Sequence, residues 1–200
     1  SANYKFVILT GPAGAYYPKP LKVKIEMHYA RAIEGGVGYA KTAGNYAGSL
    51  LPTKLAQNEG YDQLIWTDAK EHAYIEESGT TNVMFVVNDT LITPSTRDTI
   101  LDGVTRHSIL DLARAWGMKV EERRVSVAEI IEAAKNGTLQ DAFGAGTAAT
   151  IAHIAEITYQ GETYTLPAPE NRVFSNKALH TLKEIRYGLS PDEFGWNRIL

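Results

Sequence analysis

The sequence predicts a mixed α and β fold, and three observations carry that prediction. Leu21, Val23 and Ile25 alternate with Lys22, Lys24 and Glu26, the period-two signature of a strand with one buried face. Ile109, Leu112, Ala113 and Trp116 recur at i, i+3, i+4 and i+7, the period of an amphipathic helix. Segments of both kinds interleave along the chain, with no internal repeat, low-complexity tract or linker between them. At 200 residues, 44% hydrophobic and 22% charged, the chain can bury one large core or two small ones.

The elements follow in order. Phe6 to Leu9 and Leu21 to Met27 read as strands, separated by a loop rich in Gly and Pro. Tyr46 to Asn58 reads as a helix with Leu51 and Leu55 on its core face, kinked or shifted by Pro52 and stopped by Gly60. Strands are expected at residues 63–67, 73–76, 82–87 and 90–93, with Asn88-Asp89 as the turn between the last two. Gly103-Val104-Thr105 opens the helix that carries Ile109, and Gly117 ends it. Lys119 to Val125 reads as a strand. Ser126-Val127-Ala128-Glu129 is a capping box starting a helix that runs to Gly137. Asp141-Ala142-Phe143, a glycine cluster at Gly144-Ala145-Gly146-Thr147 and a strand near residues 154–159 come next. A last helix, residues 175–187, offers Leu179, Leu182 and Ile185 to the core.

Bulk composition excludes some functions. The net charge of -3 gives no basic excess for nucleic acid. No apolar run is long enough to span a bilayer, so no membrane partner is expected. Cysteine is absent, which removes disulfides and thiolate metal sites and suits a cytoplasmic setting. The five histidines lack ligand spacing, so no metal site is expected. Arg106 and Arg114 are expected to face solvent. The start at Ser1-Ala2-Asn3, without Met, suggests a fragment, with Ser1-Ala2 a cloning remnant.

The chemistry concentrates in the run from Gly35 to Tyr46, where four glycines surround Lys41. Glycine permits close backbone approach to a ligand. A lysine in a dense, partly dry setting can lose its proton and act as a nucleophile, so Lys41 reads as a Schiff-base lysine. Three further segments accompany it: residues 75–82 (Ile75-Glu76-Glu77 to Asn82), residues 101–106 (Leu101-Asp102-Gly103 to Arg106) and residues 143–149 (Phe143-Gly144 to Ala149).

Together these motifs resemble the pyridoxal-phosphate enzymes of fold type IV, and within them the branched-chain amino acid aminotransferases. Gly14-Ala15-Tyr16-Tyr17, Tyr187-Gly188 and Phe194-Gly195-Trp196 extend the resemblance over the whole chain. It implies an α+β fold, the large domain of fold type IV, with a mixed sheet or pseudo-barrel and flanking helices. It also implies that residues 1–200 are the C-terminal cofactor-binding domain, without the family's small N-terminal domain. The cofactor implied is pyridoxal 5′-phosphate. The reaction implied is transfer of the amino group of leucine, isoleucine or valine to 2-oxoglutarate by a homodimer.

The resemblance assigns the site residue by residue. Lys41 attaches the cofactor covalently and moves the proton between the substrate Cα and the cofactor. Glu77 pairs with the pyridine nitrogen, where a protonated ring is the electron sink. Glu76 points to the opposite face if the strand is regular, and is read as a solvated acid. Tyr46 bonds the cofactor phenolate, and Leu101 packs on the pyridine ring. Gly103, Val104 and Thr105 cup the phosphate at a helix start, where amides and the dipole favour an anion, and Thr147 adds a hydroxyl. Backbone of Thr147, Ala148 and Ala149 binds the substrate carboxylate, and Tyr16 and Thr80 line the substrate side. Where some members carry Cys-x-x-Cys, Ala149 and Ala152 stand here, which excludes a thiol switch. Two alternatives remain open: a D-amino acid aminotransferase or aminodeoxychorismate lyase of the same fold, and a non-catalytic truncated fragment.

Overall fold

The computed structural model describes residues 2–12 and 16–198; Ser1, Gly14 and Ala15 lie outside the described residues. The elements run in chain order β1 (Leu21–Ile25), α1 (Ala43–Asn58), β2 (Gln63–Thr67), β3 (Tyr74–Ser78), β4 (Thr81–Val87) and β5 (Thr90–Pro94). There follow α2 (Val104–Ala115), β6 (Lys119–Arg123), β7 (Val125–Ser126), α3 (Val127–Lys135), β8 (Leu139–Gly146), β9 (Thr150–Tyr159), β10 (Glu162–Thr165) and α4 (Val173–Arg186).

The ten strands among the described residues belong to one sheet, and it closes on itself. The path β4-β8-β9-β1-β2-β3 returns to β4 through a short antiparallel pairing of β3 with β4. Pairing of β1 with β2 and with β9 is parallel, while β2-β3, β4-β8 and β8-β9 are antiparallel. The result is a mixed six-stranded barrel with extra strands at its margins, and the helices flank it. This is the α+β pseudo-barrel expected.

Strand alternation sorts side chains into separate cores. Along β4, Val83, Phe85 and Val87 join one cluster while Met84 and Val86 join another. The first cluster gathers residues of β1, β3, β8 and β9 and is closed by Val127, Ile130 and Ile131 of α3. The second is covered by Ile109 and Leu112 of α2 and by Ala178 and Leu182 of α4. A small third cluster holds Ala56 of α1 against Leu64 and Trp66 of β2. Two buried faces per strand explain why β4 reads as an uninterrupted apolar run.

Several expectations are met in detail. β2 occupies the expected residues, Asn88 and Asp89 both adopt positive φ in the β4-β5 turn, and Gly117 closes α2 at φ +72°. The Ser126 hydroxyl accepts from the Glu129 amide at 3.1 Å. The Glu129 carboxylate, however, turns to Arg123 instead of completing the box.

Other expectations need correction. Residues 6–9 form no strand: Phe6 is 90% exposed, and an apolar run becomes a strand only where a sheet edge receives it. The helix expected at Tyr46 starts at Ala43, with Pro52 and Ala56 inward. Leu51 and Leu55 are 58% and 41% exposed, because α1 meets the sheet along a narrow stripe, where Ala56 packs against Leu64 and Trp66 of β2. The strand expected over residues 119–125 divides at Arg124 into β6, paired with β5, and β7, paired with β3. The second glycine cluster lies within β8, where a Cβ on Gly144 or Gly146 would press on Thr81. β10 was not anticipated; Thr163 and Tyr164 hold it on the margin of β9. Arg106 is buried, with Nη2 donating to the Pro94 carbonyl at 3.0 Å and to Glu122 at 2.8 Å.

The division between core and surface predicts a contrast. Phe85→Ala should cost about 3–5 kcal/mol, whereas Leu50→Ala, on the uncovered face of α1, should change stability by less than about 0.5 kcal/mol. Urea denaturation of both variants measures the difference, and equal costs would refute the assignment of α1's faces.

Candidate active site

The segment between β1 and α1 carries Lys41, and the reason for its glycines is visible in its packing. Gly38 lies so close to the loop between β5 and α2 that an added Cβ would overlap Ala32 and the Thr99 backbone. Gly35 adopts φ +76° and its amide donates to Asp98 at 2.6 Å. The Tyr39 amide donates to the Asp98 carbonyl at 2.9 Å. Asn45, in the first turn of α1, ties the segment back by donating to the carbonyls of Val37 and Ala40 at 2.9 and 2.8 Å. Lys41 is thus held against the 95–103 loop, yet its side chain is exposed, not dry as expected. Its Nζ lies 5.9 Å from the ring centroid of Tyr46.

Glu77 comes from β3, where the pairing with β2 slips. Ile65 pairs with Ser78 but Thr67 with Ile75, so two steps on β2 match three on β3. Such a bulge re-aims side chains. Glu77, 3% exposed, faces the same cavity as Lys41, whereas Glu76 lines a different cavity beside Asp68 and Arg124. Glu76 is therefore on the opposite side, as expected, but buried, not solvated; burial holds its carboxyl above the ordinary range.

A dense set of groups surrounds Glu77. The Leu101 amide donates to Oε1 at 2.7 Å, and Arg31 Nε lies 3.3 Å from Oε2. Burial pushes the Glu77 carboxyl up to about 7, opposed by Arg31, by the Leu101 amide and more weakly by Lys41, while Glu76 adds to the rise.

The far wall is the amino end of α2. Gly103 is its N-cap and offers no side-chain cap, so the first amides of the helix remain available at the cavity. Asn82 holds this corner: its Nδ2 donates to the Leu101 carbonyl at 2.7 Å, and a Cβ on Gly103 would overlap its Oδ1.

One cavity of ≈ 750 Å³ joins these parts. Lys41, Tyr46, Glu77 and Leu101 line it, with Gly103, Val104 and Thr105 at the α2 end. Thr147, Ala148 and Ala149 border it from the β8-β9 turn, and Tyr16 and Thr80 from the loops. Every residue singled out from the sequence for this site therefore reaches a single cavity. Sequence reasoning missed Arg31 and Asn82. Arg31 stands just before the glycine run and Asn82 ends the 75–82 segment, but neither residue type signals in sequence the distant groups that it holds.

Comparison with known proteins agrees with the architecture. The model of the family "Amino-transferase class IV" matches residues 2–157. The chain belongs to the class IV aminotransferases. It is 42% identical to branched-chain-amino-acid aminotransferase 2 of Bacillus subtilis (strain 168), over 98% of this chain and 55% of that protein. A probable branched-chain-amino-acid aminotransferase of Staphylococcus aureus (strain N315) is also 42% identical, over 100% of this chain and 57% of that protein. The chain thus spans a little over half the length of these curated relatives. Among solved structures, the branched-chain aminotransferase of Thermoproteus uzoniensis with norvaline superposes with a TM-score of 0.76 at 26% identity, covering 92% of this chain and 58% of that one. The PLP-form of the Thermobaculum terrenum enzyme gives 0.70 at 29% identity, over 86% and 52%. As a class IV aminotransferase, this chain shares the fold of those structures, and the cavity lined by its motifs sits between the barrel and α2.

The raised Glu77 carboxyl sets a pH dependence. The folded state binds this proton more tightly than the unfolded chain, whose carboxyl titrates near 4.5. The contribution is therefore complete below pH 4.5 and declines as pH rises through about 7, by about 3 kcal/mol in all. Glu77→Gln should remove most of this decline, with Glu76 leaving a smaller one of the same sign. Urea denaturation at pH 5 and pH 8 measures both proteins, and parallel declines would show that Glu77 is not the titrating group.

Proposed function

We propose that this chain is the cofactor-binding part of a branched-chain-amino-acid aminotransferase that uses pyridoxal 5′-phosphate. The observation that carries the reading is the convergence of Lys41, Glu77 and the uncapped start of α2 on one cavity. An amine, a buried carboxylate and an anion-favouring helix end match the aldehyde, ring nitrogen and phosphate of that cofactor. The names of the two curated relatives above, both branched-chain-amino-acid aminotransferases, support the substrate class.

The cofactor, when bound, supplies an electron sink for negative charge at the substrate Cα. This chain's residues do the rest. Lys41 would hold the cofactor through its Nζ and would carry the proton to and from the substrate Cα. Glu77 would accept a hydrogen bond from the ring nitrogen and favour its protonated form. Tyr46 would donate to the phenolate oxygen, and Leu101 would pack on the ring. The amides of Val104 and Thr105, with the hydroxyls of Thr105 and Thr147, would hold the phosphate. Backbone amides of the Thr147-Ala148-Ala149 turn bind the substrate carboxylate without a fixed charge. That neutrality lets one pocket take an aliphatic side chain and, in the return half-reaction, the second carboxylate of glutamate. Tyr16 and Thr80 flank the substrate.

We place residues 1–200 as the C-terminal domain of the parent enzyme, a cytoplasmic homodimer acting on leucine, isoleucine, valine and 2-oxoglutarate. The exposure of Lys41 also favours a second reading, in which the chain on its own binds cofactor without turnover.

Mixing the protein with pyridoxal phosphate should produce a visible band, and borohydride should then fix one pyridoxyl group on Lys41, as mapped by peptide mass spectrometry. Lys41→Ala should show neither. An adduct on other lysines alone would overturn the site. On the full-length parent, turnover of L-leucine over D-alanine separates the branched-chain reading from a D-amino acid aminotransferase.

A further inference from the structure

Arg31 lies outside every motif that points to the cofactor, yet it touches three of the segments that build the cavity. It sits in the segment after β1, ten residues before Lys41. Its Nη2 donates to the carbonyl of Gly38 at 3.3 Å, in the Lys41 segment, and to the carbonyl of Thr99, in the loop that leads to Leu101. Its Nε approaches Glu77 of β3 at 3.3 Å. The side chains of Arg31 and Glu77 are only 9% and 5% exposed, so water screens this pair little. The Nε has no aligned hydrogen-bond partner, which makes the contact with Glu77 chiefly one of charge.

We propose that Arg31 is a positioning residue, which locks the Lys41 segment, the Leu101 loop and the Glu77 carboxylate into one geometry and sets a positive charge behind the carboxylate that would receive the ring nitrogen. The proposal rests on the cofactor reading above. Planar geometry suits Arg to the task, because one guanidinium reaches two carbonyls and a carboxylate at once. A lysine would supply the charge from a single point and could not hold all three. Four charged groups or dipoles bear on Glu77. Arg31, Lys41 and the Leu101 amide favour the carboxylate, and Glu76 on the adjacent position opposes it. Of these, Arg31 acts most strongly toward ionisation, so its removal should be felt first at Glu77.

The test reads Glu77 directly. In protein labelled with ¹³C at glutamate carboxyls and assigned through Glu77→Gln, the Glu77 midpoint is followed by NMR without added cofactor. Arg31→Gln should raise that midpoint by about 1 pH unit or more, the effect of losing a cation at this range. Arg31→Lys should restore most of the midpoint but not the fixed geometry, so pyridoxal phosphate should bind it more weakly than wild type by about tenfold. If Arg31→Gln does not fold, the wild type still decides: the Arg31 Nε–H resonance should shift with the Glu77 midpoint, and the shift should vanish in Glu77→Gln. A Glu77 midpoint unmoved in Arg31→Gln, or an Nε–H resonance that ignores Glu77, overturns the proposal. Failure of the cofactor reading would appear separately, as a wild-type chain that forms no borohydride-trapped adduct on Lys41.

Discussion

The site depends on how one edge of β4 is shared. On one side β4 pairs with β8 along its length, from Asn82 to Val87. On the other side two strands divide it: β3 takes Thr81 and Asn82, and β5 takes Phe85 to Val87. Between them, Val83 and Met84 have no strand partner on that edge. The buried hydroxyl of Thr93 donates to the Val83 carbonyl at 2.8 Å, so that carbonyl is paired inside the opening. The chain leaving β5 is directed over this fork, and there Leu101 meets both Glu77 and Asn82. A regular sheet with β3 and β5 in one register would leave no room for the loop. The fork closes the barrel and opens the cavity with the same strand.

The glycines around Lys41 take on a different meaning in this setting. Their use is chiefly protein against protein. Gly38 allows the segment to lie on Thr99, Gly35 supplies a left-handed turn, and Asn45 clips the segment to the start of α1. The lysine is carried by backbone that is stitched to the same loop that brings Leu101 to Glu77. Separate pieces of sequence are thereby coupled: a shift of the 95–103 loop would move Lys41, Leu101 and the anchor of Glu77 together.

Legibility in the sequence followed the range of the forces involved. β2, α2 and the β4-β5 turn were readable because period, cap and turn chemistry are local, as at Gly117 and Asn88-Asp89. The cavity residues were readable because their motifs are contiguous. What could not be read depends on distant partners. Residues 6–9 have the composition of a strand but no edge in the described structure. Leu51 and Leu55 have helical spacing, but only the position of β2 decides that Ala56 and Pro52 face inward instead. Arg106 looks like a surface residue of a helix until the carbonyl of Pro94 and the carboxylate of Glu122 are placed around it. Arg31 is the clearest case, since its three partners come from three segments.

Two adjacent acids within a barrel wall are costly to bury, and the bulge in β3 makes the arrangement workable. A regular strand would also separate Glu76 and Glu77 between faces, but the extra residue lets the wall bend around them, one cavity on each side. Burial outweighs the pull of Arg31, the Leu101 amide and Lys41, and the Glu77 carboxyl is pushed up to about 7. A carboxyl so poised responds strongly to a cation arriving beside it. Linkage then runs both ways: whatever the cation gains from the carboxylate, the carboxylate gains from the cation. A fully solvated glutamate would already be ionised but would attract a protonated ring weakly through water. A buried glutamate with no arginine would stay protonated and offer a donor where an acceptor is needed. Glu77 between Arg31 and the cavity avoids both outcomes, which is the physical case for reading the pair as one unit in the proposed chemistry.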